Sequence, residues 1–149
     1  MIEGYIWIKE NYETVYKRYV LITGDTATAY EYDTSEIVCN DITFQEEGEW
    51  CLITFLDSFS EEILLELSNG NRLAYFFSDD SQMDCEFLVI EDNQIIRKKY
   101  IYADTPKLNE DEGFLLCEEK NKIQYWNDID YVIEIAREDP DNLFEHVTV

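Results

Sequence analysis

The stretch CEFLVIEDNQIIRKKYIY, residues 85–102, constrains the fold more than any other part of the chain. Two runs rich in β-branched and aromatic residues flank Asp92-Asn93, a pair suited to a two-residue hairpin turn. A hairpin here commits the chain to antiparallel sheet. With that turn Glu91 faces Gln94, and the register places Glu86 across from Lys99 and diagonal to Arg97. One face then carries Cys85, Phe87 and Val89 with Ile96, Tyr100 and Tyr102, and the other carries Glu86, Leu88 and Ile90 with Ile95, Arg97 and Lys99. Glu86 thereby neutralises part of the basic cluster Arg97-Lys98-Lys99, which argues against a nucleic-acid patch there.

Other segments extend the sheet. EGYIWIKE reads as a strand, either buried on both faces or packed on one as an edge. TVYKRYVLITG fits strand or helix, and its β-branched and aromatic content favours a strand ending at Gly24. ATAYEYD, SEIVCNDITF and EWCLITFLD supply further strands. At Ser60 the period changes: a capping serine, Glu61 and Glu62 in a first turn, and Ile63, Leu64 and Leu67 at helical spacing predict a helix stopping near Gly70. The alternative is a strand turning at SNGN. ADTPKLNEDEG reads as a polar loop and FLLCEEKNKI as a strand. A C-terminal helix near 127–138 is capped by Asn127 or Asp128, carries Ile129, Val132, Ile133 and Ala136 on one stripe, and stops at Pro140. Strands with segregated helices and no βαβ alternation predict one α+β domain over residues 1–149, mainly an antiparallel sheet with one or two packed helices. The 149 residues suffice to bury a core without disulfides or metals.

Charge narrows the function. Thirty-four acids against 11 bases leave a net charge of −23. Such an excess costs stability through self-repulsion and speeds encounter with a cationic partner by about 10- to 10³-fold. It argues against direct binding to nucleic acid or to an anionic membrane. No apolar run approaches the roughly 18 residues that span a bilayer. Cys39, Cys51, Cys85 and Cys117 form no CxxC pair, and MIEGYIWIKENYE lacks the apolar core of a signal peptide. The expectation is a cytoplasmic protein with reduced cysteines, most of them small core residues.

Catalytic chemistry finds little support. The only histidine, His146, stands three residues from the C-terminus, where it makes a poor general base. One histidine and scattered cysteines argue against a zinc site. Five isolated glycines build no phosphate cradle. DDSQMD is no EF-hand, because the sixth and twelfth places counted from Asp79 hold Asp84 and Ile90. The expectation is a protein without catalytic residue, metal or cofactor.

What remains is acidic surface. Asp79, Asp80 and Asp84 lie beside Tyr75, Phe76 and Phe77, and Glu110, Asp111 and Glu112 precede Phe114. Carboxylates rimming exposed aromatics suit a protein inhibitor of a basic active site, where aromatics anchor and carboxylates stand in for phosphate oxygens. Asp79, Asp80, Asp84, Glu86, Glu110, Asp111 and Glu112 are therefore the candidate partner-binding residues. Alternatively the aromatics are core and the acids solvated loop tips.

The heavy acidity, the α+β pattern, the lack of catalytic motifs and the ending EEKNKIQYWNDIDYVIEIA together resemble the small acidic immunity proteins of bacterial toxin–immunity systems, including contact-dependent inhibition. The resemblance is to the type, and no family's binding residues carry over. It implies a cytoplasmic protein that binds one cognate toxin domain, often a basic nuclease, and blocks its active site or substrate groove. Two other readings stay open: a nucleic-acid mimic that occupies a DNA- or RNA-binding protein, and an interaction module that self-associates as a homo-oligomer.

Overall fold

The computed structural model describes residues 2–25, 29–32, 35–113 and 123–145. Its strands are β1 (Ile2–Ile8), β2 (Ala29–Tyr32), β3 (Glu36–Cys39), β4 (Ile42–Glu47), β5 (Trp50–Phe55), β6 (Leu73–Asp79), β7 (Asp84–Glu91), β8 (Gln94–Tyr102) and β9 (Glu110–Gly113). They form one sheet, antiparallel throughout, in the order β2-β3-β4-β5-β1-β6-β7-β8-β9. Helices α1 (Tyr12–Thr23) and α2 (Glu61–Ser68) cover one face, and α3 (Ile129–Glu138) covers the other. The α+β class is as expected, with helices on both sides of the sheet.

Alternation along β1 shows why two layers of core form. Ile6 and Ile8 enter the cluster under α1 and α2, where Phe44, Ile53, Leu64, Leu67, Tyr75 and Leu88 also lie. Trp7 enters the opposite cluster with Phe76, Phe87, Val132 and Ile133. β1 pairs with β5 on one side and β6 on the other, so it is central and buried on both faces.

The segment TVYKRYVLITG is helix, which corrects the expected strand. The Asn11 side chain accepts hydrogen bonds from the amides of Glu13 (2.9 Å) and Thr14 (3.2 Å), satisfying two of the donors that a helix start leaves open. Tyr12, Val15 and Tyr19 then fall on one buried stripe. Gly24 closes the helix at φ +68°, its N–H reaching the Val20 carbonyl at 2.9 Å. The cap and the first buried position precede the β-branched run, and together they outweigh its strand propensity.

The helix expected after Ser60 forms as α2, with Ser60 Oγ accepting from the Ile63 amide at 3.3 Å. Asn69, at φ +47°, ends it one residue before Gly70. In α3 the expected stripe Ile129, Val132, Ile133 and Ala136 is buried. FLLCEEKNKI lies largely outside the described residues, as do Phe114, Cys117 and His146; Ile123 is described and buried.

The central hairpin forms with its turn at Asp92 (φ +53°) and Asn93 (φ +63°) and with Glu91 opposite Gln94. Its register needs correction beyond Ile90. A bulge between Val89 and Ile90 shifts the pairing by one, so Val89 faces Arg97, Phe87 faces Lys99 and Glu86 faces Tyr100. A one-residue slip moves every later side chain to the other face. Tyr100 and Tyr102 therefore join Glu86 on the α2 side. Cys85, Phe87 and Val89 face α3.

The expected loop ADTPKLNEDEG is also corrected. A short 3-10 turn at Pro106–Leu108 leads into β9, where Glu112 faces Lys98 and Asp111 faces Lys99. Carboxylates have poor strand propensity alone, and here the opposing bases stabilise the pairing. Cys39, Cys51 and Cys85 are free and buried, and burial pushes the Cys51 and Cys85 thiols up to about 12. They act as core side chains, as expected.

Candidate functional site: the acidic end of the sheet

The strand pairings bring the starts of β1, β4, β7 and β9 and the ends of β5, β6 and β8 to one end of the sheet. Acids distant in sequence meet there. Asp41 stands in the β3–β4 turn, Asp57 follows β5, Asp79 and Asp80 lead the β6–β7 turn, and Asp84 begins β7. The last turn of α1 comes to the same end, where Asn40 Nδ2 donates to Asp25 at 3.3 Å. The start of α2 adds Glu61 and Glu62. Between these acids Ile2, Leu56 and Met83 are exposed.

Ion pairing sharpens this polarity. The chain's 11 bases, less Lys120 and Lys122 outside the described residues, leave nine. Seven of the nine ion-pair with carboxylates: Lys9, Arg18, Arg72, Arg97, Lys98, Lys99 and Arg137. Lys9 and Arg72 converge on Asp141 at the opposite end of the sheet, at 2.9 and 2.7 Å. Lys98, near the acidic end, is buried between Glu61 and Glu110. Most of the basic charge is thus taken up within the fold; the other two described bases are Lys17 on α1 and Lys107 in the turn between β8 and β9. Among the described residues Asp41 and Asp57 have no basic partner.

The seven acids expected to bind a partner divide into two sets. Asp79, Asp80 and Asp84 come together at the β6–β7 turn, with Asp79 paired opposite Asp84. The Ser81 hydroxyl, at 2.6 Å, and amide, at 3.0 Å, hold the Asp79 carboxyl below its ordinary range. Burial pushes the Asp84 carboxyl up, although the Ala103 amide donates to it at 3.2 Å.

The other four have partners within the fold, Glu86 in the interior and Glu110, Asp111 and Glu112 on the edge strand β9. Glu86 is 8% exposed and accepts from Tyr75 Oη at 2.7 Å and from Tyr102 Oη. Asp111 binds Arg97 Nη1 at 2.6 Å and Lys99 Nζ at 2.8 Å. Glu110 and Glu112 lie 3.4 and 3.8 Å from Lys98 Nζ.

Among the described residues the exposed aromatic rim is not found; Phe114 lies outside them. Tyr75 and Phe76 are fully buried in β6 and Phe77 is half-buried, because β6 runs through the middle of the sheet. The apolar groups that do reach solvent among the rim acids are Ile2, Leu56 and Met83. They come from three different elements, so no local sequence pattern marks them. Among the described residues no group of three or more His, Cys, Asp or Glu side chains could hold a metal.

A cavity of about 360 Å³ opens at this end, between the last turn of α1, the β3–β4 turn and residues 56–60. A shallower groove of about 270 Å³ along residues 2–5 shares Asp41, Phe55 and Leu56 with it. Phe55 lines both. Its ring lies parallel to Tyr75 at 5.8 Å, and Phe59 packs edge-on at 4.7 Å. The Phe59 amide donates to Tyr75 Oη at 3.1 Å, and Tyr75 in turn donates to Glu86. The chain Glu86–Tyr75–Phe59 therefore holds the loop that walls the cavity.

Burial pushes the Glu86 carboxyl up, and the hydrogen bonds from Tyr102 and Tyr75 only partly oppose it. The folded state thus binds this proton more tightly than the unfolded chain. Its contribution to stability is full below the ordinary value of 4.5 and is lost as pH rises through the raised one. Burial likewise raises the carboxyl groups of Asp111 and Asp141, but hydrogen bonds from Lys99 and Arg97, and from Lys9 and Arg72, outweigh it and hold both low. Their stabilisation has the opposite sign and is lost as pH falls. In Glu86→Gln the stability difference from wild type is expected to move in favour of glutamine between acid and neutral pH. Urea unfolding across a pH series checks this, and a flat difference would contradict the burial of a titrating Glu86.

Comparison with protein-family models, with curated proteins and with solved structures finds no match for this chain. No helix among the described residues is long and apolar enough to cross a membrane.

Proposed function

We propose that this chain is a non-catalytic, cytoplasmic immunity-type protein that binds a basic toxin domain of the nuclease type and blocks its active site or substrate groove. The observation that carries this reading is the gathering of carboxylates from separate elements at one end of the sheet, around exposed Ile2, Leu56 and Met83. Apolar anchors inside an acidic field match the composition of an interface built for a basic surface. The carboxylates would meet the Lys and Arg side chains with which such a domain holds phosphates, and the field would speed encounter.

The test is capture from native lysate by the tagged protein, washed at low and then high salt, alongside Asp79→Lys/Asp80→Lys/Asp84→Lys. The wild type is expected to retain one stoichiometric basic protein at high salt. The triple variant is expected to keep its circular dichroism spectrum and to associate with that protein at least about tenfold more slowly at low salt. Retention of a DNA- or RNA-binding protein would replace this reading with mimicry of nucleic acid. Self-association without a partner would replace it with an oligomeric module.

A further inference from the structure

We infer that the cavity over Phe55 receives one cationic side chain, an arginine or lysine, from the basic partner. The inference rests on the reading above and assigns a specific contact within it. Four features of the cavity select a cation with an apolar stem. Tyr19, Phe55 and Phe59 are among its lining residues, and an aromatic ring attracts a guanidinium or ammonium group. Ile42 and Leu56 add aliphatic surface for a methylene chain. Asp41 and Asp57 lie at its mouth on different loops, both exposed and without a basic partner among the described residues. The last turn of α1 reaches the cavity through Tyr19 and Thr23 and contains no basic residue, so the negative end of that helix carries no cation of its own, although Gly24 N–H and the Thr23 hydroxyl take up the Val20 and Tyr19 carbonyls.

One element opposes this. Ser60 and Ile63 bring the positive start of α2 to the same cavity. That start is already countered, since Ser60 Oγ takes up the Ile63 amide and Glu61 and Glu62 occupy the first turn. The balance favours a cation. The volume lies at the small end of ligand-sized pockets, about 300–1,000 Å³, which suits a single long side chain. Arginine fits better than lysine, because its planar head can lie on a ring while its donor fork reaches two carboxylates.

The test needs no partner at first. Isotope-labelled protein is titrated with N-acetyl-arginine methylamide, with the lysine analogue, and with the neutral norleucine analogue, and amide shifts are followed by NMR. Saturable shifts at Asn40, Asp57, Phe59 and Ile63 are expected, with a Kd of about 1 mM for the arginine probe and no saturation for norleucine. Asp41→Asn/Asp57→Asn, which alters only exposed side chains, is expected to weaken arginine binding about tenfold. Equal response to norleucine, or unsaturable shifts spread over the acidic surface, would overturn the inference. Either result leaves the acidic end itself untouched, since that reading stands on capture and on the Asp79, Asp80 and Asp84 reversal. With the captured partner in hand, Asp41→Asn/Asp57→Asn should weaken that complex too. Unchanged affinity for the partner would remove its side chain as the occupant.

Discussion

Tyr75→Ala is expected to cost about 3–5 kcal/mol of stability, the range for losing a fully buried aromatic ring. Tyr75 has no exposed surface, lies parallel to Phe55 at 5.8 Å and has Phe59 edge-on to it at 6.4 Å. Its loss opens a void beneath the loop that walls the cavity. It also leaves buried Glu86 with Tyr102 alone of its two tyrosine donors and strips the Phe59 amide of its acceptor. Tyr75→Phe keeps the ring and removes only the hydroxyl, so the unsatisfied groups should cost about 1–3 kcal/mol. Urea midpoints for the two variants separate packing from hydrogen bonding. Equal losses would mean that the ring contributes little and the stacking described here is wrong.

Gly4→Ala is expected to destabilise the protein by about 1–3 kcal/mol through overpacking. The sign is the informative part. In an open strand the same change would gain stability, because alanine loses less conformational freedom than glycine on folding. At position 4 a Cβ would stand 2.2 Å from Phe55 Cε2. The ring cannot easily retreat, since Tyr75 stacks parallel to it and Phe59 packs edge-on. Any shift it makes alters the floor of the cavity, so Gly4→Ala should also weaken the arginine probe. Denaturant unfolding reads the first effect and the NMR titration the second. A stabilised Gly4→Ala would show that β1 and β5 do not approach as closely as their pairing requires.

The two effects share one origin. Phe55 ends β5 under the cavity, Gly4 makes room for it from β1, and Tyr75 supports it from β6. Three strands far apart in sequence thus shape one wall. Four of the bases are engaged with other acids, Arg97 and Lys99 with Asp111 on β9, and Lys9 and Arg72 with Asp141 at the far end.

The amino-acid sequence by itself determined those elements whose signals lie within one or two turns of chain. Asp92-Asn93 between two β-rich runs specified the hairpin, Ser60 followed by two glutamates specified α2, and Ile129, Val132, Ile133 and Ala136 specified the buried face of α3. It also determined the acidity, a net charge of −23. Of the candidate site, the grouping of Asp79, Asp80 and Asp84 was legible because a single tight turn holds it. Only the tertiary structure decided the rest. The bulge at Val89 and Ile90 sent Glu86 among tyrosines, a change that hairpin arithmetic cannot contain because one inserted residue reverses every face beyond it. The pairing of β9 with β8 set Glu110, Asp111 and Glu112 beside Arg97, Lys98 and Lys99. The convergence of Asp41, Asp57, Ile2 and Leu56 exists only in space. A cap, a turn or a helical stripe is a property of neighbours along the chain, whereas a rim or a cavity depends on strand order, which short windows of sequence do not encode.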